Sequence, residues 1–207
     1  MPFLYSIWSP DGSRAVSSAA DGKIYVWQNG QVERVFAQHT APVRRFVWNA
    51  ATNLIASGDA SGRVLVWNPT TGEAVRELVG HTGAILDLDW RADGTQLVTT
   101  SLDNTMRVWA WPLGEGQIVA SGELISAVAY NPDGSELAFG GEIDNPDEVR
   151  IEIVSVQSLI PAPPATAGRG HCPAPTSSTR QMNLVRVLMH QADLRPPQVR
   201  VLRRWSA

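Results

Sequence analysis

Cysteine is nearly absent: Cys172 is the only one in 207 residues. A lone thiol excludes an internal disulfide and a cysteine-based metal cluster. Long hydrophobic runs are missing too. No apolar stretch approaches the roughly 20 residues that cross a bilayer as a helix, so no membrane partner is expected. The opening residues Met1-Pro2-Phe3-Leu4-Tyr5 lack a basic segment and a long apolar one. No secretory signal is read there, and a cytoplasmic location is expected. Convincing helical periodicity is absent before residue 180, and no cofactor-binding motif is read.

Acid is scarce in one region. Residues 158–207 hold seven Arg and one acid, Asp193; residues 1–157 hold 10 Lys and Arg against 19 Asp and Glu. The differences, +6 and −9, sum to the net charge of −3. The chain therefore has an acidic body and a basic tail. Such a body is unsuited to broad contact with a phosphate backbone, which leaves nucleic-acid contact to the tail alone.

What the sequence does have is a repeat. An aromatic residue followed by a turn recurs as Trp8-Ser9-Pro10-Asp11-Gly12, Trp48-Asn49-Ala50-Ala51-Thr52, Trp90-Arg91-Ala92-Asp93-Gly94 and Tyr130-Asn131-Pro132-Asp133-Gly134, in steps of 40, 42 and 40 residues. A second series, Val26-Trp27, Val66-Trp67 and Val108-Trp109, keeps steps of 40 and 42. Two independent series with one period define a structural unit. Within each copy, short alternating runs rich in β-branched and aromatic residues predict strands, and Asp-Gly and Asn-Pro pairs predict the turns between them. Four short strands per unit make no stable sheet alone, so the units must stack on one another.

These motifs resemble the WD-repeat β-propeller family over about residues 1–157. Gly80-His81, and Gln38-His39 as a variant, stand where that family carries Gly-His; Gln28, Asn68 and Ala110 replace the Asp that closes its Trp-Asp pair. The resemblance implies an all-β fold, a partial β-propeller of about three and a half four-stranded blades. It also implies a buried polar tetrad in each blade: a His before the first strand, a Ser or Thr in the second, an Asp in the next turn and a Trp in the third. His81, Thr99, Asp103 and Trp109 match in full. His39, Ser57 and Trp67 match with Ser61 at the Asp position, and Ser17, Asp21 and Trp27 match without a His. Ser121 and Phe139 replace the His and the Ser/Thr of the fourth copy.

The implied function is a non-catalytic scaffold for protein or peptide partners. In the family, contacts cluster on the end of the blades that carries the His and Asp turns. Carried over here, the positions are Arg44 and Leu86, about five residues after His39 and His81, with Leu4 and Ser126 by repeat alignment, and Ala20, Ala60 and Leu102, one before the Asp position of each copy. The alternative is a propeller enzyme acting on a small molecule near the central channel, where Asp87 and Asp89 are the only acids on the inner strands. His81, Thr99 and Asp103 have the residue types of a catalytic triad. Their recurrence in register, ending on an indole, reads as structural instead. The acidic stretch Glu142–Glu148 lacks calcium-loop spacing and reads as a hairpin tip.

From Leu159 the repeat stops. Pro161, Pro163, Pro164, Pro173 and Pro175 mark a linker, Gln181 to Ala192 is expected to form a short helix, and Arg200, Arg203 and Arg204 make the end basic. Residues 158–207 are thus set apart from the blades as a disordered or partly helical tail. The repeat breaks off where its fourth copy needs a last strand, as a frame change or truncation would leave it. An open arc, a fragment, or self-association through open edge strands is expected.

Overall fold

A computed structural model describes residues 3–112, 116–122, 124–142, 148–156, 185–190 and 201–202. All regular elements among them are strands. The first sheet comprises β1 (Phe3–Trp8), β2 (Arg14–Ala19), β3 (Ile24–Gln28) and β4 (Gln31–Phe36). The second comprises β5 (Val43–Asn49), β6 (Leu54–Asp59), β7 (Val64–Trp67) and β8 (Ala74–Leu78), and the third β9 (Ile85–Trp90), β10 (Gln96–Ser101), β11 (Thr105–Ala110) and β12 (Gly116–Ser121). Each is an antiparallel meander in chain order, one blade per repeat.

The fourth blade contains β13 (Ala127–Tyr130), β14 (Glu136–Glu142) and β15 (Glu148–Ser155), and it does not stop there. β16 (Val185–His190) pairs antiparallel with β15, and β17 (Val201–Leu202) pairs with β16. The anticipated half blade is a full sheet whose outer strands come from the C-terminal region. The helix expected over Gln181 to Ala192 is, in its described part, this strand β16. Its residues satisfy both periods, since Val185, Val187 and Met189 also alternate. The edge of β15 offers a row of backbone hydrogen bonds that a strand can take and a helix cannot. The tip of the acidic stretch, 143–147, and the proline-rich segment lie outside the described residues.

Neighbouring blades meet through one recurrent pattern. Each blade turns a face of small and β-branched residues toward the next: Val16 and Val26 in blade 1, Ala56 and Val66 in blade 2, Val98 and Val108 in blade 3. Each also turns a bulkier face back toward the one before. Trp48, Ile55 and Trp67 of blade 2 pack on blade 1, where Trp67 stacks on Phe36 with centroids 4.6 Å apart. Trp90, Leu97 and Trp109 of blade 3 pack likewise on blade 2. Alternation along a strand sends consecutive side chains to opposite faces, so one sheet serves both neighbours. The core is thus three layers between four sheets rather than one centre.

Candidate functional site: the rim of His loops and Asp turns

In blade 3 the four tetrad residues form one continuous chain of hydrogen bonds. Trp109 Nε1–H donates to Thr99 Oγ1 at 2.8 Å, Thr99 Oγ1 lies 2.7 Å from His81 Nε2, and His81 Nδ1 lies 2.8 Å from Asp103 Oδ2. An ionised carboxylate can only accept. Nδ1 therefore carries the His81 proton, and Nε2 accepts from the Thr99 hydroxyl. Burial holds the His81 pKa below its ordinary value, outweighing the nearby Asp103 carboxylate, so the ring is neutral at pH 7. Burial works to raise the Asp103 pKa, but bonds from Thr105, the Thr82 backbone and His81 prevail and lower it from 3.8 to about 2.

The second blade corrects one assignment. Ser61 does not leave its tetrad without a carboxylate. Asp59, two residues earlier at the end of β6, reaches His39 Nδ1 at 2.8 Å. Ser57 Oγ bridges His39 Nε2 at 2.7 Å and Trp67 Nε1 at 3.2 Å. Ser61 instead donates to Asp59 Oδ1 at 2.6 Å. Blade 3 has the reverse order: Ser101 stands where Asp59 does, and its hydroxyl donates to the Gly83 carbonyl at 2.7 Å. Asp-x-Ser and Ser-x-Asp are two solutions to one problem, because positions two apart point to the same side. The sequence signal was present in Asp59, but fixed spacing from His81–Asp103 passed over it.

Blade 1 keeps Trp27 Nε1–H donating to Ser17 Oγ at 2.6 Å, while Asp21 caps its turn by accepting the Lys23 backbone N–H at 3.0 Å. At the positions of a fourth tetrad, Ser121, the last residue of β12, is exposed, and Phe139 of blade 4 packs into the apolar layer against blade 3.

The tetrads are unsuited to turnover. Thr99 and Ser57 have no solvent exposure. Both hydroxyls are committed between an indole and an imidazole, so no substrate atom reaches them. They fix the loops above instead. The Leu102 N–H donates to the Ala84 carbonyl at 2.9 Å, and the Ala60 N–H to the Pro42 carbonyl at 3.0 Å, tying each Asp turn to the His loop of its own blade. Turns also touch the next blade. Gly62, at φ +94°, lies against the His81 and Gly83 carbonyls, and Gly22, at φ +81°, against those of His39 and Ala41. Asn104 takes the same left-handed conformation in blade 3.

The positions carried over from the family fall on this rim for a physical reason. Leu4, Arg44 and Leu86 are each the unpaired residue of a β-bulge at the start of an inner strand: pairing jumps from Phe3 to Tyr5, from Val43 to Arg45 and from Ile85 to Asp87. A bulge bends the strand and turns the extra side chain out of the sheet. Leu4, Arg44, Ser126, Ala20 and Leu102 are exposed, and Leu86 and Ala60 are half-buried. Leu102 and Leu4 expose 52% and 47% of their surface, which makes them the apolar features of the rim.

Asp87 and Asp89 are fasteners between blades. Asp87 Oδ2 accepts the Val128 backbone N–H at 3.0 Å, and Asp89 Oδ2 accepts that of Tyr130 at 2.8 Å. Burial raises both pKa values. Arg45 approaches Asp87 at 3.7 Å while its guanidinium lies over the Tyr5 ring, so blades 1, 2 and 3 are linked along the inner strands. Among the described residues no group of acids, His or Cys is placed to hold a metal ion.

Four antiparallel meanders stacked face to face, with a His–hydroxyl–indole chain under each well-kept rim, define a repeat protein built of propeller blades. The family described as WD domain, G-beta repeat matches residues 3–28, 30–68 and 72–110, and the chain belongs to it. It is 31% identical over 156 residues to apoptotic protease-activating factor 1 of Rattus norvegicus, covering 74% of this chain and 12% of that protein. It is 28% identical over 102 residues to F-box-like/WD repeat-containing protein TBL1X of Mus musculus, covering 49% and 19%. With periodic tryptophan protein 2 of Arabidopsis thaliana it shares 28% over 103 residues, covering 48% and 11%. The chain thus spans less than a fifth of the length of these relatives. A chain from the solved structure titled Crystal Structure of Mitotic Checkpoint Complex superposes with a TM-score of 0.66 at 24% identity, over 76% of this chain and 49% of that one.

Proposed function

We propose that the chain is a non-catalytic interaction scaffold that presents its rim of His loops and Asp turns to a protein or peptide partner. The observation that carries this reading is the set of three bulges. They bring Leu4, Arg44 and Leu86 out at the same place in three successive blades, with complete tetrads beneath the loops of blades 2 and 3. A cation at Arg44 with leucines at 4, 86 and 102 suits a segment that mixes apolar side chains with a carboxylate. Ser126, Ala20 and Ala60 are small enough to let such a segment lie close. Membership in a family of interaction modules supports the reading, as does likeness to a chain from a complex. An enzyme of the inner channel would need Asp87 and Asp89, and both are already occupied by the backbone of β13.

The test is affinity capture with mass spectrometry on the wild type and on Arg44→Glu combined with Leu102→Asp. Both positions are exposed, so the variant should keep its circular dichroism. Proteins held by the wild type and lost by the folded variant are the expected result. Retention of every partner by the variant would contradict the rim, and turnover of a small molecule abolished by Asp87→Asn would favour an enzyme.

A further inference from the structure

Five cations of the blades each face an acid. Lys23 meets Asp21, Arg14 Glu33, Arg45 Asp87, Arg63 Glu77 and Arg91 Asp93, at separations between 2.9 and 3.7 Å. Arg107 of β11 does not, although it is half-buried. No ion pair among the described residues includes it, and its Nε is out of solvent without an acceptor. The guanidinium leans over the Trp109 ring, 6.0 Å from the centroid. Gly80 makes room for it: a Cβ there would lie 2.7 Å from a terminal nitrogen of Arg107 and 3.2 Å from the Trp109 ring. Holding a charge partly out of water with no counter-charge costs free energy, which an acidic partner offsets.

Blade 2 shows where an acid could have stood. Leu65 holds the Arg107 register, opposite Ser57 as Arg107 is opposite Thr99. On the outer side Leu65 pairs with Glu77, whereas Arg107 pairs with Ile118. Charged and apolar side chains have traded strands, and Glu77 is bonded to Arg63 of its own blade. Ile118 is 52% exposed, and Val79, next to Gly80 at the end of β8, 81%. Arg76 is the register partner of Val66, which packs against blade 3, so it adds positive charge on the same side. The outer wall between blades 2 and 3 is thus cationic and apolar, on a body with 19 acids against 10 Lys and Arg.

We propose that this wall docks a peptide segment of a partner protein in which an Asp or Glu side chain stands between apolar ones. The carboxylate accepts from the Arg107 guanidinium, whose planar fork matches two oxygens at once. The apolar neighbours of that acid cover Val79 and Ile118. An arginine set among apolar side chains is the composition of an interface hot spot. The chain's own C-terminal region is a poor occupant, since residues 158–207 hold seven Arg and one acid. Another blade is no occupant either, because blades 2 and 3 already stack on each other at this junction. The inference goes beyond the rim reading and is independent of it, since none of these residues lies among the proposed rim contacts.

Fluorescence polarisation on the full chain tests it with two pools of short labelled peptides. One pool has apolar–acid–apolar centres with random flanks, and the other has the amide in place of the acid. The acid pool is expected to bind saturably. The amide pool should bind at least about tenfold more weakly, as loss of a charged hydrogen-bond partner implies. Arg107→Leu installs the residue that blade 2 carries in this register, so it should keep its circular dichroism while affinity for the acid pool falls by a similar factor. Ile118→Asp, at an exposed site that leaves Arg107 in place, should weaken binding too. Capture at the rim is read separately on Arg44 and Leu102, so either reading can fail while the other stands. Absence of saturable binding by the wild type up to its highest soluble concentration would overturn the proposal. So would equal binding of the amide pool, or undiminished binding by either folded variant. A pool with phosphoserine in place of the acid, if it bound more tightly, would overturn the choice of a carboxylate.

Discussion

The neutral His81 ring explains why this residue type recurs before the inner strands. It donates at Nδ1 and accepts at Nε2, joining a carboxylate to a hydroxyl across two loops. The Asp59–Ser61 and Ser101–Asp103 exchange shows that what matters is one carboxylate within reach of that nitrogen, not its exact place in the turn. Asp59→Ala is therefore expected to destabilise blade 2 by about 1–3 kcal/mol, because it strands a buried His39 donor. Ser61→Ala should cost clearly less, and urea unfolding compares the two. Acid should act through Asp103. Its folded pKa, about 2, lies below the ordinary 3.8, so its contribution is full above about pH 4 and is lost as pH falls through 2. In Asp103→Asn that part of the acid sensitivity should vanish from melting curves taken between pH 5 and 2. At this scale the sequence made the full third tetrad readable, since all four types stand in order. It did not reveal Asp59's role, because reach across a turn depends on side-chain direction and not on a count of residues.

At the scale of the element, the strands were the most readable feature. Trp8, Trp48, Trp90 and Tyr130 keep one period, and the apolar alternation beside them leaves little choice of structure. Two features were hidden. β16 carries a pattern compatible with helix or strand, and only the edge of β15 decides between them. A chain ending at residue 157 would expose that edge, so it is expected to melt at lower temperature and to aggregate on heating, as light scattering during a thermal ramp would report. Asp87 and Asp89 look like a solvated pair until β13 is laid against them. Their raised pKa values mean that the charged form is disfavoured by folding, so stability falls as pH rises past the ordinary carboxylate range. Asp89→Asn, which keeps an acceptor for Tyr130, should be neutral or stabilising at pH 7. Asp89→Ala removes that acceptor and should cost about 1–3 kcal/mol; urea midpoints of the two variants distinguish these outcomes.

At the scale of the whole molecule, four sheets share three apolar layers, and each blade borrows half its core from a neighbour. Stability in such an array is a sum of blade terms and nearest-neighbour contacts. The rim stands apart from these layers, so partner contacts and blade stacking can be altered separately. Both depend on the polar chain beneath the rim being mortar for the blades and not machinery. Urea unfolding of Thr99→Val tests that most directly, since the change keeps the shape and removes the one hydroxyl that joins Trp109 to His81. A loss of about 1–3 kcal/mol is expected, with partner capture by the folded variant unchanged. Undiminished stability together with the loss of a measurable turnover would contradict it.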